Sequence, residues 1–371
     1  MGDKGDHEEL GLTRRRVWAR NVCAPLAIAS ALTAPATATA TLASAAAAPA
    51  DANDAHRFIT VMTQNLDQGT DFTPLFTATS GPAFLSAASA IFDQVVASDI
   101  LGRARLVAHE IAAAMPDVVS LQEASLWQWQ SPIGPASIDA LNALERALAA
   151  EGAHYAPVSV LAEFSGVVQV QGFGQVTFLD RDALLVRTDQ PPARLRVGNV
   201  QRGHYATMLS IPTVAGTVTV PRGWISADLT VRRRKVRVIA THLERSSAAV
   251  QQAQGGELLA GPASTPLPVI IAGDLNTGPL ASGGFVSPTY QRILESGFTD
   301  TWPATNPGVA GLTNAFHAQD PYGPAVPDKR IDLVLVNRNL RSVSGTLTGT
   351  SPVDGLWPSD HAGVVARIRI S

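Results

Sequence analysis

The feature that most constrains this chain is a rhythm of short apolar runs, each closed by polar residues. Six such runs lie at residues 58–63, 118–121, 236–241, 269–272, 331–336 and 363–370. Their length and their Val and Ile content predict buried strands. Between them lie apolar residues at helical spacing. Val107, Ile111, Ala114 and Met115 make one set, ended by Pro116; Ile138, Leu141, Leu144 and Leu148 make another. Further helices are expected over residues 247–259 and 289–295. Residues 158–188 and 205–231 lack helical periodicity and predict hairpins, with Gly172, Gly174 and Gly216 at turns. Residues 72–92 are uncharged and broken by Pro74, Gly81 and Pro82, which predicts a loop and a short helix. Helices alternating with strands near both ends, and hairpins between, imply a layered α/β sandwich of mixed sheets.

Composition matters first at the N-terminus. Residues 1–20 hold nine charged groups, whereas residues 21–50 hold none and are mostly Ala, Thr and Ser. The segment ends in Ala48-Pro49-Ala50, a small-x-small site. A basic start, an uncharged middle and such a site mark a cleaved export signal. Thr13-Arg14-Arg15-Arg16-Val17-Trp18 resembles a twin-arginine pattern, with Trp18 and Ala19 departing from the usual Leu and Lys. A membrane anchor is the alternative, and Pro25 and Pro35 disfavour it. The expectation is an export signal over residues 1–50 and a single domain over 51–371. Removing the signal takes away Cys23, the one cysteine, together with five basic and four acidic residues, so the net charge moves from −3 to −4. One cysteine excludes a disulfide framework within the chain and a cysteine-based zinc cluster. The mild acidity argues against a protein whose main task is gripping nucleic-acid backbones.

The chemistry gathers where the apolar runs stop. Asn65, Glu123 and His242 follow the first three runs; Asp274 and Asn276 follow the fourth. Asp332 stands near the start of the fifth, and Asp360 and His361 precede the sixth. Strand ends in layered α/β proteins carry catalytic groups because the loops there are free to be polar. Carboxylates and an amide oxygen are hard donors suited to Mg²⁺ or Mn²⁺. Histidines beside carboxylates can move protons or stabilise charge on a phosphoryl group.

The order of these islands is similar to that of a known group. Thr63-Gln64-Asn65, Leu121-Gln122-Glu123, Ala240-Thr241-His242, Gly273-Asp274-Leu275-Asn276, Arg330-Ile331-Asp332 and Ser359-Asp360-His361 resemble the endonuclease/exonuclease/phosphatase superfamily. That group includes DNase I-like nucleases and neutral sphingomyelinases. The resemblance covers residues 58–370 and implies a four-layered α/β/β/α sandwich that hydrolyses phosphate esters with a divalent metal, Mg²⁺ or Mn²⁺. It implies Glu123 as main metal ligand, with Asn65 and Asp360 nearby. It implies that His361 contacts the phosphate and is oriented by Asp332. Asp274 would activate water or assist proton transfer, Asn276 would hold phosphate or water in line, and His242 would donate to developing charge or protonate the leaving oxygen. Which group is base and which is acid stays open.

Each residue also has a plainer reading: turns for Asn65 and Asp274, a satisfied core histidine for His242, a strand-start cap for Asp332. Asp67 could add a metal oxygen but is not counted in the set. His204 is read as a core or surface residue. Arg232-Arg233-Arg234-Lys235 reads as a solvated hairpin turn rather than a nucleic-acid patch. The favoured function is a secreted, monomeric phosphodiesterase acting on a lipid or small-molecule headgroup. Possible peripheral membrane contact would run through residues 72–92 and 167–178, with packing of those segments on the sandwich edge as the alternative. A second reading is an extracellular DNase I-like endonuclease, and a third is a non-catalytic binding protein on the same scaffold.

Overall fold

The structure is a computed structural model that describes residues 57–279 and 287–371. The expected export segment, Cys23 included, lies outside the described residues.

Two large mixed sheets form the frame. The first runs Leu340–Thr348, Gly363–Ile370, Phe58–Asn65, Val118–Gln122, Gly174–Arg187, Leu126–Ser131, Gly134–Asp139, with Tyr155–Val170 also paired to Gly174–Arg187. The second runs Phe298–Asp300, Asp332–Asn337, Val269–Asp274, Arg234–His242, Gly223–Val231, Leu195–His204. A separate two-stranded ribbon joins Leu209–Thr213 to Gly216–Val220.

The cores define four layers. Ile59, Val61, Leu184 and Ile368 of the first sheet meet Ile225, Val238, Ile270 and Val334 of the second in a core between the sheets. On its other face the first sheet packs Met62, Val119 and Leu185 against helices Gly81–Ala97, Ile100–Ala114 and Ala140–Ala150. Ile239, Ile271 and Leu335 of the second sheet pack outward on helices Ala248–Ala260 and Thr289–Glu295. Strands covered on both faces are buried at every position and so mostly apolar, as in Val118–Gln122 and Val269–Asp274. This is the expected α/β/β/α sandwich.

Several local expectations are refined. Residues 72–92 form more helix than expected: Thr73–Phe76 and then Gly81–Ala97. Ser80 caps the second helix through Ala83 N, and Pro82 is tolerated in its first turn. Ala88, Ile91, Phe92 and Val95 recur at helical spacing on its buried face. Ile138 belongs to a strand, and the helix begins at Ala140 behind the cap Asp139. The aromatic residues read as loop surface mostly pack on the sandwich edge. Phe92 is fully buried, and Phe72 lies 4.9 Å from Phe178 and stacks on Trp127 at 5.9 Å between ring centres. Strand Leu195–His204 was missed because it is half-exposed and carries no clean alternation. Arg232 and Arg233, with φ of 45° and 73°, make the two-residue turn between Gly223–Val231 and Arg234–His242.

The helix Ile100–Ala114 carries one testable liability. Burial pushes the Glu110 carboxyl up from 4.5 to about 7, against relief from Thr348, His109 and Gly349. Between those values the unfolded chain ionises while the folded chain holds its proton. Folding stability therefore falls as pH rises through that window, and the cost persists above it. Glu110→Gln should raise stability at pH 8 by roughly 1–3 kcal/mol and by less at pH 5. Urea unfolding at both pH values checks this; an equal gain at both would contradict the titration.

Candidate active site

Strand register gathers the site. Parallel pairing sets Asn65 opposite Gln122, so Glu123 starts the adjoining loop. Gly363–Ile370 runs antiparallel to Phe58–Asn65, which returns Asp360 and His361 to that end. In the second sheet His242 lies opposite Asp274, and Asp274 opposite Asp332. The two sheet ends are joined by side chains: Asn65 Nδ2 donates to Asp274 Oδ2 at 3.2 Å. Gln64 Nε2 donates to the His361 carbonyl at 3.1 Å, and Ser359 Oγ to the Asn65 carbonyl at 2.8 Å. Glu123 and Asn276 take φ of 54° and 49°, left-handed turns immediately after their strands. Asn276 is held there by its backbone N–H on Asp274 Oδ1 at 2.9 Å and its Nδ2 on the Leu243 carbonyl at 3.0 Å.

A cavity of about 570 Å³ opens at this end, and Glu123, Asp274, Asn276, Asp360 and His361 line it. Asn65, His242 and Asp332 sit behind that lining, each at most 1% exposed.

The surroundings of the two histidines shift their pKa values in opposite directions. His361 Nδ1 donates to Asp332 Oδ2 at 2.8 Å. Burial alone would neutralise this ring, but the charges of Asp332, Asp360 and Asp274 outweigh it and raise its pKa well above the ordinary value. Asn314 Nδ2 lies 3.1 Å from His361 Nε2. His242 is the reverse. Burial, then the charges of Arg222, His361 and Arg245, hold its pKa well below the ordinary value. Arg222 Nη1 donates to His242 Nδ1 at 2.9 Å, which fixes the proton on Nε2, 3.5 Å from Asp274 Oδ2.

Carboxylates crowd the space around Glu123. Burial first, then neighbouring charge, pushes Asp274, Asp360 and Asp180 up to about 7, and Asp182 well above its ordinary value. Glu123 contributes repulsion to all four. Both Asp182 oxygens and Asp180 Oδ1 are buried without a hydrogen-bond partner. Hard oxygen donors with excess negative charge fit a divalent cation of the Mg²⁺ or Mn²⁺ type. Among the described residues, Asp274, Asp332 and His361 each bring a ligand atom within 4.8 Å of the others. Asp332 and His361 already spend atoms on each other, so the oxygen-rich position near Glu123 suits a cation better.

Asp67 is used differently. Its Oδ2 lies 3.0 Å from Arg103 Nη1 and 3.3 Å from His317 Nε2. Against burial, these partners lower its pKa to about 2. Arg103, 1% exposed, also donates to the carbonyls of Ser98, Leu66 and Asp67, fixing the loop after Asn65. His204 is an exposed strand residue, with Nε2 2.7 Å from the Ala162 carbonyl.

Sequence reading missed Arg222, Arg103, Asp180, Asp182, Asn314 and His317. One signal was present. Asp180 and Asp182 are separated by one residue in an apolar run, so both face inward on one side of a strand. For Arg222 and Asn314 no local signal exists.

The mouth of this two-sheet sandwich thus sets two histidines among crowded carboxylates. The chain belongs to the endonuclease/exonuclease/phosphatase family, whose model matches residues 97–361. Its members are typically phosphoester hydrolases and generally depend on divalent metal. Asn65 lies outside the matched residues. Solved structures similar in fold include an endonuclease/exonuclease/phosphatase from Beutenbergia cavernae, with 24% identity and TM-score 0.55, covering 85% of this chain and 72% of that one. A Bacteroides vulgatus member has 13% identity and TM-score 0.53, covering 85% and 99%. Humanized D. rerio TDP2 has 16% identity and TM-score 0.51, covering 85% and 100%. No curated protein matches the chain in sequence.

Asp332→Asn should leave the fold intact, bring the His361 pKa down and lower phosphoester turnover at least a hundredfold. An NMR titration of His361 alongside the rate measurement checks both. An unmoved His361 pKa would show that Asp332 does not charge the ring.

Proposed function

We propose that the protein is a secreted, divalent-metal-dependent phosphodiesterase acting on a lipid or small-molecule headgroup. The observation that carries this reading is the placement of Asp274 between His242 Nε2, 3.5 Å away, and the Asp332–His361 pair. Phosphoryl transfer needs a cationic donor for the phosphoryl oxygens, a proton acceptor for water and a donor near developing charge. His361 supplies the first. Asp274, with a pKa of about 7, is poised to take a proton from water that Asn276 orients. Neutral His242 presents its Nε2 proton. A divalent cation held by Glu123, with Asp360 and Asn65, would supply Lewis-acid polarisation of the phosphoryl group and offset the carboxylate charge.

A nuclease reading uses the same groups, and charge placement disfavours it. The exposed pair Arg232 and Arg233 sits at the opposite end of strand Arg234–His242 from His242. Nine residues of strand put roughly 25–30 Å between them, too far to flank a scissile phosphate. Among the cavity-lining side chains, Arg222, Arg245, Lys329 and His361 stand against seven carboxylates. That balance is poor for a polyanion.

Export rests on the leader pattern, and the mature chain would begin near Asp51. Peripheral membrane contact, in a protein acting as a monomer, narrows to two neighbouring hairpin tips. Ile133 is fully exposed on one, and Val167 and Phe173 are partly exposed on the other.

A panel of plasmid DNA, RNA, phospholipid vesicles and a chromogenic diester, each with Mg²⁺ and Mn²⁺, tests the reading. Hydrolysis of the chromogenic and lipid diesters, abolished by chelator and without plasmid nicking, is the expected result; nicking at low salt without lipid hydrolysis would replace it with the nuclease. Glu123→Gln should weaken Mg²⁺ binding at least tenfold by calorimetry, and an unchanged affinity would contradict its role as ligand.

A further inference from the structure

One flank of the active-site cavity is built unlike the rest. Phe72, Phe76, Phe164, Leu209, Ile211 and Val220 line it, and none of them is charged or polar. They come from separate elements: the short helix Thr73–Phe76 with the residue before it, strand Tyr155–Val170, and the ribbon Leu209–Thr213/Gly216–Val220.

The three rings form one surface. Phe72 and Phe76 stack at 6.1 Å between ring centres, and Phe164 meets them edge-on at 5.9 and 6.2 Å. Phe72 is anchored from behind by Trp127 and Phe178. The ribbon faces these rings with an alternating pattern. Leu209 and Ile211 are half-buried while Ser210 and Pro212 are exposed. A two-stranded ribbon is barely stable by itself in water, so its apolar face needs cover. Here that face turns toward a cavity continuous with Glu123 and His361. The mouth is spanned by Arg245 Nη2 on Asp71 Oδ1 at 3.2 Å, tying the loop beyond His242 to the segment before the aromatic helix.

We propose that this wall is a subsite for the hydrocarbon of a lipid phosphodiester whose phosphate lies at Glu123 and His361. The inference rests on the phosphodiesterase reading and deepens it, because it assigns the chemistry of the alcohol esterified to the phosphate. A sugar would leave hydroxyls against six apolar side chains, where each would lose water without gaining a partner. An alkyl chain loses nothing there and is removed from water.

The test is calorimetry of methyl, butyl and hexyl phosphate, below micelle-forming concentrations and with Mg²⁺ present. Each methylene fully taken out of water is worth about a factor of four. Affinity should therefore tighten at least tenfold from methyl to hexyl phosphate. Phe76→Ala on the helix and Ile211→Asn on the ribbon, two independent elements, should each cut the hexyl-to-methyl affinity ratio to below about a third of its original value. Equal binding of methyl and hexyl phosphate overturns the apolar subsite and leaves the phosphodiesterase reading standing. A chain-length preference that survives both substitutions places the hydrocarbon elsewhere and overturns it too. No binding of any of the three would remove the phosphate site and the wall together.

Discussion

Asp274 is the point on which the site depends. It ends a central strand of the second sheet, accepts from Asn65 of the first sheet, receives the Nε2 edge of His242 and lies opposite Asp332. A buried carboxylate in that position is costly unless its oxygens are matched. The Asn65 amide, the Asn276 backbone and the His242 ring provide that matching, and each comes from a different segment of chain. The alignment of the two sheets at this mouth is therefore tied to the geometry of the chemistry.

The same crowding explains why the histidines differ. Asp332 stands against His361 with a carboxylate oxygen, and Arg222 stands against His242 with a guanidinium N–H. One partner demands a donor and stabilises charge; the other demands an acceptor and repels charge. Arg222 in turn offsets part of the burial cost of Asp180 through an ion pair at 3.3 Å. A single buried arginine thus lowers one histidine and eases one carboxylate, so its removal would disturb both sides of the cavity at once.

Much of this arrangement was legible in the sequence because each island lies at one end of an apolar run. A polar residue at the close of a fully buried strand can hardly point anywhere but the sheet end. The sandwich followed from the same rhythm. What the rhythm could not carry was pairing between distant segments. Arg222 meets His242 and Asp180 across 20 and 42 residues, and Arg103 reaches back to Leu66 and Asp67 across 37 and 36. Leu195–His204 was hidden for another reason: as a partly solvated strand it has no apolar run to reveal it. Residues 72–92 misled because Gly81-Pro82 breaks a helix interior yet suits a helix start behind the cap Ser80.

The division between frame and wall suggests how such a site separates reaction from recognition. The groups proposed to handle phosphoryl chemistry stand on or directly beside central strands, where register leaves little freedom. The apolar wall is carried by a four-residue helix, a strand extending toward a hairpin tip and a ribbon outside both large sheets. The ribbon can change in length and side chain without moving Asp274 or His361, because no strand pairing of the two large sheets passes through it. On the proposed reading, the side chains of this ribbon can vary the preference for the esterified alcohol while the geometry around Asp274 stays fixed.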